Sequence, residues 1–509
     1  MDMKKDEILY QAVAGNGKTG VSQEMDMTLT EADTELEKVL RTEATVTVNS
    51  TEVQKDKVMV QGIVHCFVLC QNADGDVKRL SGEQAFTEAV DVKGCDTDCI
   101  AITDTAVQKA DARIVNGRKV SARVHADIAV CSYKEERQEL VTEIEEQGIE
   151  QKRQPLSFMQ SCGAHQKRFE IREQVEIANE NPSVYEILRV DGKISTDGYR
   201  IVNNKVVVKA DLNVVILYVN DENYQLCTAS LCIPFTEIFE VDGIEEDWLF
   251  LQNIAVESIQ FESEADTKGE MRVLNINCMA NATAKMFKPQ TIAVLNDCYG
   301  VRQNVEKVTD RFSVFRHAGD LSGQTGFKGQ IELGEMPKVG QVFYLSAEPE
   351  VKHTTVENGM CDIQGTVKVQ VHYITEDAKL PLAVLEKEIP FAERFSCSAE
   401  NAKPELLVQA SGISYTLNGD YVIDIRGNLV FTGVLLSEEP VQAVRAVSVT
   451  EAENKKDLPS VTICFAKDGE GLWDVAKRYS TSVQSIMDAN GIHENTSLSG
   501  RQLIVPKYK

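Results

Sequence analysis

The chain has 509 residues and a mass of 56.5 kDa, with 43% hydrophobic and 26% charged residues. It is too long for one domain and too apolar for general disorder, so we expect three or four folded domains. The 79 acidic residues outnumber the 53 basic ones and give a formal charge of −26. This charge argues against nucleic acid or an anionic membrane surface as the main partner.

No segment of the sequence predicts export or membrane insertion. The start, Met1 to Tyr10, is charged and lacks an apolar core, and the longest tight apolar run, Val214 to Val219, is far too short to span a bilayer. The 13 cysteines are odd in number and lie mostly in apolar, strand-like runs, which is typical of reduced, buried thiols. We expect a cytoplasmic protein without a transmembrane segment, metal or cofactor.

One pattern recurs three times along the chain, at a period of roughly 150 residues. Each copy contains a β-branched, largely alternating segment, at 58–70, 206–218 and 361–373. A polar turn and a second strand follow each of these segments, which predicts a β-hairpin. The second strand leads to an equivalent phenylalanine in each copy: Phe86, Phe235 and Phe391.

Each copy ends with a tight turn between two alternating strands. Two of these turns contain Asn-Gly, Asn116-Gly117 and Asn418-Gly419, the strongest short hairpin signal. Alternation predicts one packed and one solvated face. We therefore predict a mainly β protein made of three repeated antiparallel β-sandwich-like domains, at 20–137, 165–290 and 300–437. The charged run from Lys134 to Arg153 could be a short helix or a solvated strand, and we interpret it as a polar linker in preference to a binding motif. Residues 438–460 are interpreted as a second linker.

Residues 461–509 change to a strand, helix, helix, strand pattern. Val461, Ile463 and Phe465 alternate, two segments with helical spacing follow, and 502–506 reads as a closing strand. Lys467-Asp-Gly-Glu-Gly-Leu-Trp-Asp-Val-Ala-Lys-Arg-Tyr-Ser480, with Asp488-Ala-Asn-Gly-Ile492, resembles the LysM domain. The resemblance implies a small βααβ domain.

LysM domains commonly bind N-acetylglucosamine polymers in a groove between the loop after the first strand and the loop after the second helix. The resemblance places a partner- or glycan-binding groove here at Asp468, Gly469, Glu470, Gly471, Leu472, Trp473, Asn490, Gly491 and Ile492. Trp473 is interpreted either as core or as a partner contact. The usual Gly-Asp-Thr-Leu of the family is Gly469-Glu-Gly-Leu472 here, which argues against a sugar ligand.

The repeated unit, with its Ile-Pro-Phe segments and valine-rich strands, resembles the SPOCS domain of spore-coat assembly proteins. Three such units followed by one LysM domain resemble the SipL-type spore coat morphogenesis proteins. That resemblance implies a LysM domain that binds a coat morphogenetic ATPase, with other coat proteins as partners, on the mother-cell side of the forespore surface.

No catalytic constellation is evident in the sequence. The seven histidines are dispersed, and neither a phosphate loop nor a nucleophile elbow is present. We therefore expect a non-catalytic adaptor. The alternative is a cell-wall protein whose LysM domain binds peptidoglycan or chitin through N-acetylglucosamine, and a weaker third reading is a hydrolase accessory with a cryptic active site.

Overall fold

The structure is a computed structural model that describes residues 2–30, 33–451, 460–467, 469–493, 496, 498 and 500–506. Almost all of this part of the chain is β-strand, with two short helices near its end. Neither helix is long and apolar enough to cross a membrane. The predicted mainly β fold, with three repeated antiparallel domains and a βααβ LysM-like domain, is confirmed.

The strands of the first domain are β1 (Asp2–Thr28), β2 (Leu36–Gln54), β3 (Lys57–Asn72), β4 (Val77–Asp91), β5 (Ile100–Asn116) and β6 (Lys119–Glu145). They form two three-stranded antiparallel sheets, with orders β1-β6-β5 and β2-β3-β4. Alternate residues of the central strands β3 and β6, such as Val60 and Val124, meet in one core between the sheets. This packing follows from the period-two pattern of the sequence.

The second and third domains repeat this strand order, each with a long first and last strand around a three-stranded hairpin sheet. The second domain contains β7 (Ile149–Glu176), β8 (Val184–Val202), β9 (Lys205–Asn220), β10 (Leu226–Glu240), β11 (Leu249–Ala265) and β12 (Met271–Gly300). The third contains β13 (Gln303–Glu332), β14 (Val339–Glu357), β15 (Met360–Thr375), β16 (Leu382–Ser396), β17 (Ala402–Asn418) and β18 (Val422–Glu451).

The three equivalent phenylalanines occupy the same register position. Phe86 is paired with Gly62, and Phe391 is paired with Gly365. A Cβ on either glycine would come within 2.7 Å of the paired ring, so the glycines make room for the aromatic side chains. In the second domain the paired residue is Ala210, and Phe235 is only half-buried there.

The charged segments interpreted as linkers are strands. Leu140, Val141 and Ile144 are fully buried at the end of β6, and β7 begins at Ile149. Residues 438–451 complete β18 and pair with β13, whereas 452–459 lie outside the described residues. The predicted domain limits at 20, 137, 165, 290 and 437 all fall inside long strands.

The long strands extend beyond the sandwiches as three two-stranded ribbons, which share one core. This central ribbon core takes side chains from all three domains, and Phe315 of β13 pairs with Met159 of β7. Its buried members are Ile8, Leu140, Leu156, Phe158, Ile292, Val294, Val314 and Ala443. A second shared cluster joins the hairpin sheets and contains Leu69, Val77, Leu188, Leu217, Val219 and Leu382. The three domains therefore form one body.

A buried ion network also links the three domains. Arg189 of the second domain donates Nη1 to Glu43 of the first domain at 2.6 Å and to Nδ1 of His372 of the third domain at 2.9 Å. Its Nε and Nη2 form a fork on Asp191, at 2.5 and 2.7 Å. Burying these charges is tolerated because each is paired.

His372 is held neutral by this arrangement. Its ring is buried, and Nδ1 accepts a hydrogen bond from Arg189, so the proton of the neutral ring lies on Nε2. Burial lowers the pKa of His372 from 6.5 to about 2, with further contributions from the charges of Arg189 and Arg41. The register positions equivalent to His372 in the other domains are the buried Leu69 and Leu217.

The His372→Leu substitution should make the stability of the protein less dependent on pH. In the wild type, the imidazole of residue 372 takes up a proton below about pH 6.5 in the unfolded chain but stays neutral in the folded chain. The free energy of unfolding therefore decreases as the pH is lowered, by up to about 1.4 kcal/mol per pH unit. This decline should be removed in His372→Leu, as measured by urea unfolding midpoints between pH 6.5 and 4.5. His353→Leu, which removes an exposed imidazole of β14, is the control; equal slopes for wild type and His372→Leu would contradict the assignment.

Candidate functional site

The LysM module is a two-stranded sheet packed on two short helices. Its elements are β19 (Val461–Phe465), α1 (Leu472–Arg478), α2 (Val483–Asn490) and β20 (Gln502–Pro506), and the two strands are antiparallel. The small residues Cys464 and Ala466 face the helices together with Leu503 and Val505. The predicted strand, helix, helix, strand order is therefore confirmed.

Local capping defines where the helices begin. Helix α1 begins after Gly471, which has no side chain to cap it; instead, the backbone N–H of Gly471 donates to Oδ2 of Asp474 at 3.0 Å. Helix α2 begins after Ser482, whose Oγ accepts a hydrogen bond from the backbone N–H of Ser485 at 3.1 Å. Serine is among the residues that are most favoured at a helix N-cap.

Several of the predicted groove residues are used inside the module. Leu472 and Ile492 are buried in its core. The side chain of Asn490 bonds with both backbone groups of Ile504, at 2.6 and 2.7 Å, and so ties α2 to β20. These residues position the loops, and their side chains are not available to a ligand.

Glu470 and three glycines are the other predicted groove residues in the loops that the structure describes. Glu470 forms an ion pair with Arg478 at 2.8 Å and accepts a hydrogen bond from the backbone of Lys467. Three glycines, Gly469, Gly471 and Gly491, are exposed, so only their backbone groups can serve a ligand. Asp468 lies outside the described residues.

Trp473 faces the body and makes an interdomain contact. Its ring packs edge-on against Tyr299, with ring centroids 4.9 Å apart, and Nε1 donates to Oδ2 of Asp297 at 2.9 Å. The hydroxyl of Tyr299 in turn donates to the carbonyl of Thr481 at 2.8 Å. Trp473 therefore anchors the module to the last residues of β12, a role that the sequence does not reveal.

Asp297 is the ionic centre of this docking site. Nζ of Lys477 approaches its Oδ2 at 2.6 Å, and Lys307 also donates to it. Burial alone would raise the pKa of Asp297, but the hydrogen bonds from Lys307, Lys477 and Trp473 outweigh burial and lower the pKa from 3.8 to about 2. The carboxylate thus joins one lysine of the body to the tryptophan and lysine of the module.

An apolar face of the module remains uncovered. Val461, Ile463 and Phe465 alternate on the side of β19 that points away from the helices, and they are 53, 60 and 65% exposed. Ile504 of β20 is paired with Ile463 and is 42% exposed. We call these four residues the apolar sheet face. Exposed apolar clusters of this kind mark interaction surfaces.

Sequence reasoning did not assign a role to this face. Alternation identifies β19 as a strand, but both faces of this segment carry apolar residues. The larger residues Val461, Ile463 and Phe465 lie on one face, and the smaller Cys464 and Ala466, the latter just after the strand, lie on the other. Size would favour burial of the larger set, and the structure buries the smaller one. On the helix-facing side, Cys464 and Ala466 share the core with the larger Leu503 and Val505 of β20.

The Asp297→Asn substitution should weaken docking of the LysM module to the body. It removes the charge that holds Lys477 and Lys307 while keeping the size of the side chain, and hydrogen bonds to a charged group contribute about 1.5–3 kcal/mol each. We expect the fluorescence of Trp473, recorded in a Trp248→Phe background, to shift to longer wavelength. The unsubstituted protein should show the same shift only as the pH falls from about 4 towards 2, because the pKa of Asp297 is depressed.

The control for this experiment is Asp488→Asn. Asp488 lies on α2, where it accepts a hydrogen bond from Gln484 at 2.7 Å, and it is exposed. Its substitution should leave the spectrum unchanged. An unchanged spectrum in Asp297→Asn as well would contradict the docking contact.

Comparison with known families agrees with this architecture. Residues 35–115 and 183–264 match the family described as SipL, SPOCS domain, and residues 467–506 match the LysM domain. No curated protein and no solved structure matches the chain. The third domain lies outside the matched segments but has the same strand order as the first two. The chain therefore contains two segments that match the SPOCS domain and a C-terminal LysM domain, which is the arrangement that the SipL-type resemblance predicts and which supports an association with sporulation.

Proposed function

We propose that this protein is a non-catalytic adaptor in the assembly of the bacterial endospore coat. In this role its LysM module binds a coat morphogenetic ATPase, and its β domains contact other coat components at the forespore surface, on the cytoplasmic side of the mother cell. The matched SPOCS and LysM domains support a sporulation role. The ATPase, the coat partners and the location are what the resemblance to SipL-type proteins implies, and the surfaces described above support a protein partner.

The observation that carries the proposal is the apolar sheet face of the LysM module. Four large side chains, Val461, Ile463, Phe465 and Ile504, are exposed side by side on one small sheet. Such a surface gains free energy when it is buried against another apolar protein surface, at about 25 cal/mol per Å². A polysaccharide would satisfy this face less well, because its hydroxyl groups need polar partners.

The position of the module supports an adaptor as well. Trp473 and Lys477 face the body, whereas the apolar sheet face is exposed to solvent in the same structure. The module can therefore bind a partner without leaving its docking site. The three acidic β domains remain available for other coat proteins.

The histidines support a role without catalysis. Each histidine with a described partner forms a contact at a different place in the fold, so these histidines do not come together in one site. His65 pairs with Glu83, His317 with Asp320, and His372 with Arg189. Within the described residues, no group of three or more His, Cys, Asp or Glu side chains is arranged to hold a metal ion. A catalytic base needs a positioned nucleophile or substrate beside it, and these pairs have none among the described contacts.

The alternative function is binding of peptidoglycan or chitin, and it rests on the LysM match itself. The exposed backbone of Gly469, Gly471 and Gly491 would then contact N-acetylglucosamine units. Because Asn490, Leu472 and Ile492 are occupied within the module, few of the predicted groove side chains remain to select a sugar. The protein partner is therefore the better-supported ligand.

Ile463→Ser and Phe465→Ser should each weaken binding of the full-length protein to the coat morphogenetic ATPase by about tenfold or more. Truncation of a central apolar contact in an interface costs about 1–2 kcal/mol or more. Binding is measured by titration calorimetry, with chitin oligomers and peptidoglycan fragments tested in parallel. Both side chains are exposed, so the fold should be preserved.

Tyr479→Ser is the matched control, since Tyr479 is a partly exposed aromatic residue at the end of α1, outside the apolar sheet face. It should bind the ATPase as the wild type does. Saturable binding to glycan fragments with none to the ATPase would reject the adaptor proposal in favour of the wall-binding alternative.

A further inference from the structure

A cavity of about 410 Å³ lies between the first and second β domains. Its walls come from β2, β3 and β4 of the first domain and from β8 and β11 of the second, and it includes Phe67, Arg79 and Phe261. Its volume is within the range of small-ligand pockets in proteins. The cavity belongs to neither the LysM module nor its docking site.

Arg79 is a largely buried cation in this cavity without a partner. Its guanidinium carbon lies over two aromatic rings, 5.2 Å from the ring centroid of Phe67 and 4.8 Å from that of Phe261. Its Nε is buried and has no hydrogen-bond partner in the described part of the protein. Burial lowers the pKa of Arg79, as expected for a charge removed from water.

The acidic groups of the cavity do not neutralise Arg79, because each is already paired. Glu43 and Asp191 bind Arg189 at 2.6 and 2.5 Å, and Glu83 binds His65 at 3.0 Å. Glu257 binds Arg168 at 2.8 Å through Oε1. Outside the cavity lining, the charge of Glu186 also acts on Arg79, but Glu186 is paired with Lys78 at 3.0 Å. Arg79 is thus left without an ion pair of its own among the described residues.

The repeated fold does not require an arginine at this position. In the first domain Arg79 is paired with Leu69 across β3 and β4. The equivalent residues are Thr228, paired with Leu217, and Val384, paired with His372. A neutral residue therefore satisfies this position in two of the three domains, and the buried charge at Arg79 needs another explanation.

We propose that the cavity between the first two β domains is a binding site for a carboxylate, to which the N–H groups of Arg79 donate hydrogen bonds. The guanidinium lies over the rings of Phe67 and Phe261, which accept no conventional hydrogen bond, and its Nε has no hydrogen-bond partner among the described residues. A planar carboxylate matches this fork with two parallel hydrogen bonds. The carboxylate belongs either to a Glu or Asp side chain of a partner peptide or to a small free dicarboxylate.

A carboxylate suits the site better than a phosphate group. The cavity lining contains four acidic side chains, Glu43, Glu83, Asp191 and Glu257, and a dianion is repelled by them more strongly than a monoanion. Oε2 of Glu257 is buried without a hydrogen-bond partner among the described residues. It can accept a hydrogen bond from an amide or ammonium group, which an acidic peptide carries and a simple dicarboxylate lacks.

The test is titration of the full-length protein with glutarate, with a short capped peptide that contains one Glu, and with inorganic phosphate. Glutarate or the peptide should bind saturably, and tighter than phosphate. Arg79→Met should weaken that binding by about tenfold or more, and Arg79→Lys should restore it only partly, because lysine keeps the charge and loses the fork. Tighter binding of the peptide identifies a partner side chain as the ligand, and tighter binding of glutarate identifies a free dicarboxylate.

Two further measurements keep the result interpretable. The thermal midpoint of Arg79→Met should be equal to or above that of the wild type, because the substitution removes an unpaired buried charge. Arg394→Met removes an exposed arginine that pairs with Asp362 and should not change binding. The proposal is overturned if neither carboxylate binds saturably, if Arg79→Met binds as tightly as the wild type, or if phosphate binds at least as tightly as both carboxylates.

Discussion

The body depends on apolar strand ends that no single domain can bury by itself. Ile8, Leu156 and Val314 belong to the long strands of three different domains and lie in one central ribbon core. Burial of a side chain of this size contributes about 1.5–3 kcal/mol, so a separated domain would expose several such residues to water. The ion network around Arg189 joins the same three domains at a second place. The repeats therefore act as one body and differ from domains on flexible linkers.

The same ribbons create the place where the LysM module docks. Asp297 and Tyr299 are among the last residues of β12, and Val301 lies in the turn that leads to β13. Their position is fixed by the ribbon, so the contacts of Trp473 with them orient the module on the body. The apolar sheet face is on the side of the module that stays exposed. A constraint of folding, the shared ribbon core, thus determines the direction in which a partner can approach.

The repeats, the hairpin turns and the LysM elements could be predicted from the sequence because each has a local pattern: alternation, Asn-Gly and helical spacing. The ends of the ribbons could not. Leu140, Val141 and Ile144 are dispersed among charged residues, and the charge of the segment suggested a solvated linker. Their burial depends on ribbons about 150 and 300 residues away, which no local window contains. The candidate site has the same limitation, since Asp297 and Trp473 are 176 residues apart.

This arrangement changes what a substitution of Trp473 would mean. Trp473 faces the body, so its loss releases the module and affects a partner only through orientation, whereas loss of Phe465 removes a surface that the partner would contact directly. A docked module needs no further ordering before it binds, and its affinity is not reduced by the entropy of a mobile tether. When a partner bound to the module also meets the β domains, the effective concentration for this second contact is determined by the fixed geometry of the body and not by linker length. For the proposed adaptor function, this means that partners of the two parts would have to fit the body at one set separation.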